Sequence, residues 1–141
     1  MDGQALFAFV RFWSRRWAGT QRGRDVMVLE AVHALAAAGR AVSINDVARE
    51  LGVDQSGASR MVAQAERLGL VTREAPGRVG APATIGSTAA GDELLEQARA
   101  WQNAVLRRLT AGWPDEDVRT LLTLMDRLVR AQAGIDQAGT D

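Results

Sequence analysis

The stretch Ile44–Val71 reads INDVARELGVDQSGASRMVAQAERLGLV and has the spacing of two helices joined by a tight turn. The first helix is expected to begin at Ser43, with Asp46 at its N3 position, and the second at Asp54. A small residue, Ala48, stands where the helices approach each other, and Gly52 stands where the chain needs a positive φ. The apolar positions recur at helical intervals and are expected to pack inward: Val47, Leu51, Val53, Ala58 and Met61. The stretch therefore predicts a helix-turn-helix, although an ordinary helical hairpin in a bundle core would share part of this pattern.

The polar positions of the second helix form a separate, outward face. They are Gln55, Ser56, Ser59, Arg60 and Gln64. Arginine pairs with guanine edges, glutamine pairs with adenine, and serine reaches either bases or phosphates. We therefore expect these five residues to contact double-stranded DNA in the major groove.

The residues after this helix change from a helical to an alternating pattern. Residues 70–74 and 83–85 are predicted strands, and the loop between them, residues 75–82, holds two glycines and two prolines. A hairpin directly after a DNA-reading helix is a wing, which makes Arg73 and Arg78 candidate contacts to the adjacent minor groove or backbone. A surface hairpin with two solvated arginines is the alternative.

Two helices are predicted before the helix-turn-helix. Residues 4–17 form the first, and a basic linker over residues 19–23 separates it from the second. Asp25 is the expected cap of the second helix, which continues to Ala38 and is ended by Gly39.

Two more helices are predicted after the hairpin. Thr88 is the expected cap of a long helix over residues 89–109. Pro114 and the acidic residues at 115–117 then provide a strong start for the last helix. The expected fold is mainly α-helical with a small β-hairpin wing.

The first and last helices carry apolar faces that need partners. These faces comprise Leu6, Phe7, Val10, Trp13 and Trp17, widened by Phe9 and Phe12, and in the last helix Val118, Leu121, Leu122, Met125, Leu128 and Val129. A bundle between two subunits would bury both faces. Two-fold symmetry would then place two DNA-reading helices about one DNA turn apart.

Length and composition favour one cytoplasmic domain. The 141 residues suffice for a core, and the absence of cysteine excludes disulfides and thiolate metal sites. Arg11 interrupts the apolar residues 5–17, and Asp2 precedes them, so neither a signal peptide nor a membrane span is expected. The net charge is zero, but residues 1–79 hold 11 arginines and 8 acids, whereas residues 80–141 hold 6 and 9. The half with the helix-turn-helix is therefore basic.

These features together resemble the MarR family of bacterial transcriptional regulators. The resemblance rests on VARELGVDQSGASRMVAQAERLGLVTRE at residues 47–74 and on GSTAAGDELLEQA at residues 86–98, which is similar to the family's start of its long dimer helix. The wing departs from the family pattern because an Asp-Arg-Arg run is replaced by residues 76–81, with Arg78 alone. Ser87 also replaces the leucine that usually precedes the threonine.

The resemblance implies a homodimeric winged helix-turn-helix regulator formed by one domain, residues 1–141. Helices at about 4–17 and 89–133 would form the dimerisation region, and residues 25–86 the DNA-binding lobe. Such proteins are typically repressors that bind pseudo-palindromic operators, and many release DNA when a small aromatic molecule binds. The usual position of that pocket, between the dimerisation helices and the lobe, suggests Trp13, Trp17 and His33 as its lining.

Other chemistry has little support in the sequence. His33, the only histidine, lies in an apolar helix and is expected in the core or a pocket wall, without the ligand spacing of a metal site. No glycine-flanked nucleophilic serine, phosphate loop or second histidine is present, so neither an enzyme nor a bound cofactor is expected. The four tryptophans are expected in the core or at the dimer interface.

A different class of function remains open at this point. The zero net charge and the arginine-poor wing also suit a winged-helix module that binds another protein and no longer binds specific DNA. Salt dependence separates the two, because contacts to several phosphates weaken steeply with salt and an apolar protein interface does not. A repressor that needs no effector is a third possibility.

Overall fold

The computed structural model describes residues 3–17, 19–132 and 134–135, which contain six helices and one two-stranded sheet. The elements in chain order are α1 (Gln4–Trp17), α2 (Gln21–Ala37), α3 (Ile44–Leu51), α4 (Gln55–Arg67), β1 (Val71–Glu74), β2 (Thr84–Ser87), α5 (Ala89–Leu109) and α6 (Asp115–Gln132). The strands pair antiparallel, with Val71 opposite Ser87 and Glu74 opposite Thr84. The predicted fold class, mainly helical with a small hairpin, is confirmed.

The chain divides into two compact units, residues 1–100 and 101–141, and α5 runs across the boundary. The assignment of one domain to residues 1–141, with a lobe at 25–86, stays a prediction. Position 133, where the second predicted dimerisation segment ends, lies outside the described residues.

The core of the first unit is built around α2. Val28 and Leu29 of α2 are fully buried, as are Val47 of α3 and Val62 of α4. The same cluster also contains Val26, Ala31, Val32, Leu35, Val42, Ala48, Ala58, Ala65, Val71, Ile85, Leu95 and Ala98. Every element from α2 to the first half of α5 thus contributes to one apolar core, which the hydrophobic effect stabilises.

The start of α2 differs from the prediction. Thr20, not Asp25, is the N-cap: its Oγ1 accepts a hydrogen bond from the Gly23 N–H at 2.9 Å. Asp25 is instead buried within the first turns, where its Oδ1 accepts a hydrogen bond from Gln21 Nε2 at 2.9 Å. The predicted linker 19–23 is therefore mostly helix, because a threonine hydroxyl caps a helix almost as well as an aspartate does.

The start of α3 is fixed by a capping box. Ser43 Oγ accepts from the Asp46 N–H at 3.2 Å, and Asp46 Oδ2 accepts from the Ser43 N–H at 3.0 Å. Arg49 and Arg40 also donate to Asp46 Oδ1, at 2.7 Å and 3.2 Å. The backbone hydrogen bond from Ser43 is the main reason why the pKa of Asp46 falls from 3.8 to about 2, with desolvation opposing it and the Ser43 and Arg49 side chains adding to it.

The start of α5 is held against the residues that follow α4 by hydrogen bonds and by a close approach of the two backbones. Thr88 Oγ1 donates to the Gly69 carbonyl at 2.6 Å and accepts from the Gly91 N–H at 3.1 Å. Ser87 Oγ donates to Asp92 Oδ1 at 2.5 Å. A Cβ on Gly91 would lie 2.1 Å from the Leu70 carbonyl oxygen, so only glycine fits there.

Two side-chain links also join α5 to α2. Arg99 donates through Nε and Nη2 to the two carboxylate oxygens of Glu30, at 3.1 Å and 2.8 Å, and this pairing raises the pKa of Arg99. Arg22 Nη2 donates to Gln97 Oε1 at 3.0 Å. Because these links lie on the surface, they contribute little to stability, and we assign them a role in orienting α5 against α2.

Helices α1 and α6 have no buried residue among those described. Their exposed large apolar side chains are Leu6, Phe7, Phe9, Val10, Phe12, Leu122, Leu124, Met125, Leu128 and Val129. Trp13, Val118 and Leu121 are half-buried. Both helices thus retain the unpaired apolar faces that the sequence predicts.

One of the inward positions predicted for the helix-turn-helix is wrong. Val53 is 37% exposed, whereas Leu51 and Met61 are partly buried against the core, and Val47 and Ala58 are fully buried. Val53 lies in the turn before α4 begins, so the helical interval that was expected to direct it inward does not apply to it.

We predict that Asp46→Asn lowers the free energy of unfolding by about 2 kcal/mol at pH 7, because the lowered pKa of Asp46 corresponds to a stabilisation of about that size. Because the pKa in the folded protein, about 2, lies below the ordinary 3.8, the ionised carboxylate stabilises the fold above pH 3.8 and loses this effect as the pH falls towards 2. Urea unfolding of both proteins across that range measures it. A difference that stays constant down to pH 2 would contradict the linkage.

Candidate nucleic-acid interface

The turn between α3 and α4 positions the candidate interface. Gly52 adopts φ 66° and ψ 33°, a left-handed conformation that favours glycine. Its N–H donates to the Arg49 carbonyl at 3.3 Å, and the Val53 N–H donates to the Ala48 carbonyl at 3.1 Å. Ala48, 6% exposed, has the small side chain that this packing requires. The predicted turn is confirmed.

The start of α4 is set by Asp54, as predicted. Asp54 Oδ1 accepts from the Gly57 N–H at 2.6 Å, which satisfies one of the free amides of the first turn. Ala58, Val62 and Ala65, at intervals of three and four, are fully buried and fix one side of the helix against the core. The opposite side is consequently directed outward.

The predicted contact residues divide by exposure. Gln55, Ser56 and Arg60 are exposed, and Ser59 and Gln64 are half-buried at the edges of the same face. We call these five residues the polar face of α4. No carboxylate pairs with Arg60 among the residues that the structure describes. Its guanidinium is therefore available for a ligand such as a guanine edge, and the contacts themselves stay a prediction.

Arg67 is an outward residue that the sequence analysis missed. It is exposed, lies seven positions after Arg60 and so occupies the same side of α4. Its Nε donates to Gln64 Oε1 at 3.2 Å, and its Nη2 makes a second bond to the same oxygen. The i+7 spacing from Arg60 is the sequence signal that could have identified it. With Oε1 occupied, Gln64 presents its amide N–H groups.

The wing holds its two arginines differently. Arg73 Nε lies 3.5 Å from Glu66 Oε2, so this arginine pairs with the last turn of α4. Arg78 is exposed in the loop between the strands, and no carboxylate pairs with it within the described ranges. Arg78 is thus the freer candidate for a backbone contact, whereas the charge of Arg73 is partly offset by Glu66.

The wing is attached to the lobe through the segment before α3. The Ile85 N–H donates to the Val42 carbonyl at 2.8 Å, and Ile85 is buried in the core. A cleft of about 590 Å³ separates the wing loop from the start of α3, with Arg78, Glu74 and Asp46 in its lining. The hairpin is therefore anchored at its base, and its loop stands away from α3.

The three proposed effector-pocket residues have unlike surroundings. Trp17 is half-buried and packs against the core. Trp13 is half-buried beside two phenylalanine rings, with centroids 6.3 Å from Phe9 and 5.1 Å from Phe12. His33 is exposed on α2, so its expected place in the core is wrong, because the buried side of α2 is formed by Val28, Leu29, Val32 and Leu35. A pocket formed by the three stays a prediction.

The part of the chain that the structure describes offers no cluster of metal-ligating side chains. No three His, Cys, Asp or Glu side chains come together there as a metal ion would require. None of the described helices combines the length and apolar character needed to cross a membrane.

A sequence model of the MarR family matches residues 23–80, from α2 to the wing loop. A transcriptional regulator of that family from Rhodococcus sp. RHA1 is 26% identical over 92% of this chain and 96% of its own, with a TM-score of 0.61. No curated protein sequence matches the chain.

Two crystal structures of lower sequence identity share the fold. MepR from Staphylococcus aureus, in complex with DNA, is 16% identical over 93% of this chain and 96% of its own, with a TM-score of 0.62. YusO from Bacillus subtilis is 18% identical over 91% of this chain and 89% of its own, with a TM-score of 0.65.

Proposed function

We propose that this chain, whose residues 23–80 belong to the MarR family, is a homodimeric repressor that binds a pseudo-palindromic operator and releases it when a small aromatic molecule binds. The similar protein from Rhodococcus is a transcriptional regulator of the MarR family, and the structurally similar MepR was crystallised in complex with DNA. The dimer, the sign of regulation and the effector are the parts that this proposal adds.

The observation that carries the proposal is the polar face of α4. It lies opposite three fully buried residues, so it cannot turn inward without exposing the core. It presents an arginine without a carboxylate partner among the described residues, together with glutamine and serine side chains. This combination of donors and acceptors matches base edges in the major groove.

The apolar faces of α1 and α6 support the dimer. Each helix leaves large apolar side chains about half exposed, for example Phe7 at 61% and Leu128 at 48%. Contiguous apolar surface of this kind marks an interaction site. A second copy of the chain would supply matching faces, and a two-fold axis would present two α4 helices to half-sites about 34–36 Å apart.

Release by a ligand follows from the requirement for that spacing. A molecule that binds more tightly to a dimer with misplaced α4 helices lowers operator affinity by the difference in its two affinities. Trp13 and Trp17 supply aromatic surface on the helix α1 that we assign to the dimer. An aromatic effector bound there would act on the spacing rather than on the bases.

We predict that Arg60→Ala weakens binding to the operator by about 1–3 kcal/mol, because one bidentate base contact is lost. The operator is selected first from random DNA with the parent protein, and gel shifts then compare the variants. Arg108→Ala removes the same charge from the end of α5 and serves as the control. Equal affinities of Arg60→Ala and the parent would contradict the assignment.

We predict that Leu122→Glu converts the dimer to a monomer, since it introduces a charge into the apolar face of α6. Thr120→Glu places the same charge on the same helix, at an exposed polar position, and should leave the dimer intact. Sedimentation equilibrium measures both masses. A parent protein that is monomeric at micromolar concentration would refute the dimer.

We predict that salicylate-like aromatic acids change the tryptophan fluorescence in a saturable way and reduce the gel shift over the same concentration range. Trp13→Phe and Trp17→Phe should lose the fluorescence change, whereas Trp113→Phe, which alters a tryptophan outside α1, should keep it. No response to chemically varied aromatics would rule out this pocket.

A further inference from the structure

Arg24 of α2 lies beside the polar face of α4 and, like Arg60, has no carboxylate partner among the described residues. A cleft of about 350 Å³ between α2 and α4 is lined by Gln21, Arg24, Gly57, Arg60, Met61 and Gln64. Its lining therefore contains two guanidinium groups and no carboxylate. Neither Arg24 nor Arg60 pairs with an acidic side chain anywhere in the described part of the chain. Two uncompensated positive charges at one cleft favour an anionic ligand.

The guanidinium of Arg24 is held in place by neutral acceptors. Its Nη2 donates to Gln21 Oε1 at 3.0 Å, and its Nη1 donates to the Gly19 carbonyl at 3.3 Å. Gln21 is fixed in turn, because its Nε2 donates to the buried carboxylate of Asp25 at 2.9 Å. Arg24 thus keeps its full charge and further N–H donors, and little side-chain entropy is left to lose on binding.

The position of Arg24 determines which part of DNA it would meet. A helix fills the major groove, which is about 12 Å wide, so the base edges are reached from α4 itself. A cation on the neighbouring helix, across a small cleft from that face, would then lie beside the sugar-phosphate backbone that borders the groove. Arginine forms bidentate, charge-assisted bonds with phosphate oxygens.

We propose that Arg24 binds a backbone phosphate beside the groove that α4 enters, with Gln21 as its positioning residue. This inference rests on the proposed function and extends the DNA contact beyond the helix-turn-helix and wing. It also adds to the arginine-poor wing, since Arg73 of the wing meets α4 at Glu66, whereas Arg24 meets it at the cleft beside Arg60 and Gln64. Such a contact fixes the orientation of the lobe and carries no sequence information.

The chain offers a close control for this assignment. Arg22 is two residues from Arg24 in the same helical turn, but its Nη2 donates to Gln97 of α5 at 3.0 Å, and it does not line the cleft. Arg22→Ala and Arg24→Ala therefore remove the same charge from the same helix. Only Arg24→Ala removes it from the cleft.

The experiment measures the dissociation constant between about 50 and 200 mM salt for a duplex of about 30 base pairs that carries the selected operator and for one of random sequence. Arg24→Ala should reduce the slope of log affinity against log salt by about 0.9 for each bound subunit and weaken both duplexes by about fivefold per subunit at 0.15 M salt. Arg24→Lys should retain most of the slope, and Arg22→Ala all of it. Gln21→Met should weaken binding in the same direction as Arg24→Ala, but less.

The outcomes separate this inference from the function on which it rests. A parent with steep salt dependence and an Arg24→Ala slope equal to that of Arg22→Ala would overturn the phosphate contact and leave the regulator intact. A parent that binds neither duplex would overturn both. If Arg24→Ala reduced operator affinity alone, Arg24 would be assigned to a base edge instead. Thermal unfolding of each variant, with Arg24→Lys as the milder change, separates loss of folding from loss of contact.

Discussion

The close packing of α3 and α4 over α2 is the constraint on which the rest of this structure depends. Alanines at positions 48, 58 and 65 let the helices approach, and Val47 and Val62 fill the space between them without measurable exposure. Gly52 provides the only left-handed residue in the turn, and it directs the chain from one helix into the other. These contacts keep the polar face of α4 directed outward, because rotating the helix would expose fully buried side chains.

Internal pairing determines which arginines of this neutral chain are available to an anionic partner. Arg40 and Arg49 share the carboxylate of Asp46, Arg73 pairs with Glu66, and Arg99 pairs with Glu30. Arg24, Arg60 and Arg78 have no such partner among the described residues. The net charge of zero therefore says little about DNA binding, since local fields depend on which charges remain unpaired.

Local sequence signals predicted the fold where a single residue type dictates the backbone. Ser43, Asp54 and Thr88 begin their helices as expected, because each hydroxyl or carboxylate accepts the hydrogen bond of a free amide. The predicted start of α2 was wrong because Thr20 and Asp25 are both residue types that cap helices. Only the burial of Asp25 within the helix rules it out as the cap. Val53 and His33 were misplaced for a related reason. Whether an apolar or aromatic residue is buried depends on where its helix begins and which side faces the core.

The sequence by itself determined the helix-turn-helix, the wing, the unpaired apolar faces of the first and last helices and the five residues of the polar face of α4. These follow from periodicity, capping and glycine placement, which act over a few residues. Only the tertiary structure decided that Arg73 pairs with Glu66 and that Arg24 shares a cleft with Arg60. Such relations join residues that are distant along the chain or depend on side-chain direction. They arise from packing between elements, and no local spacing encodes them.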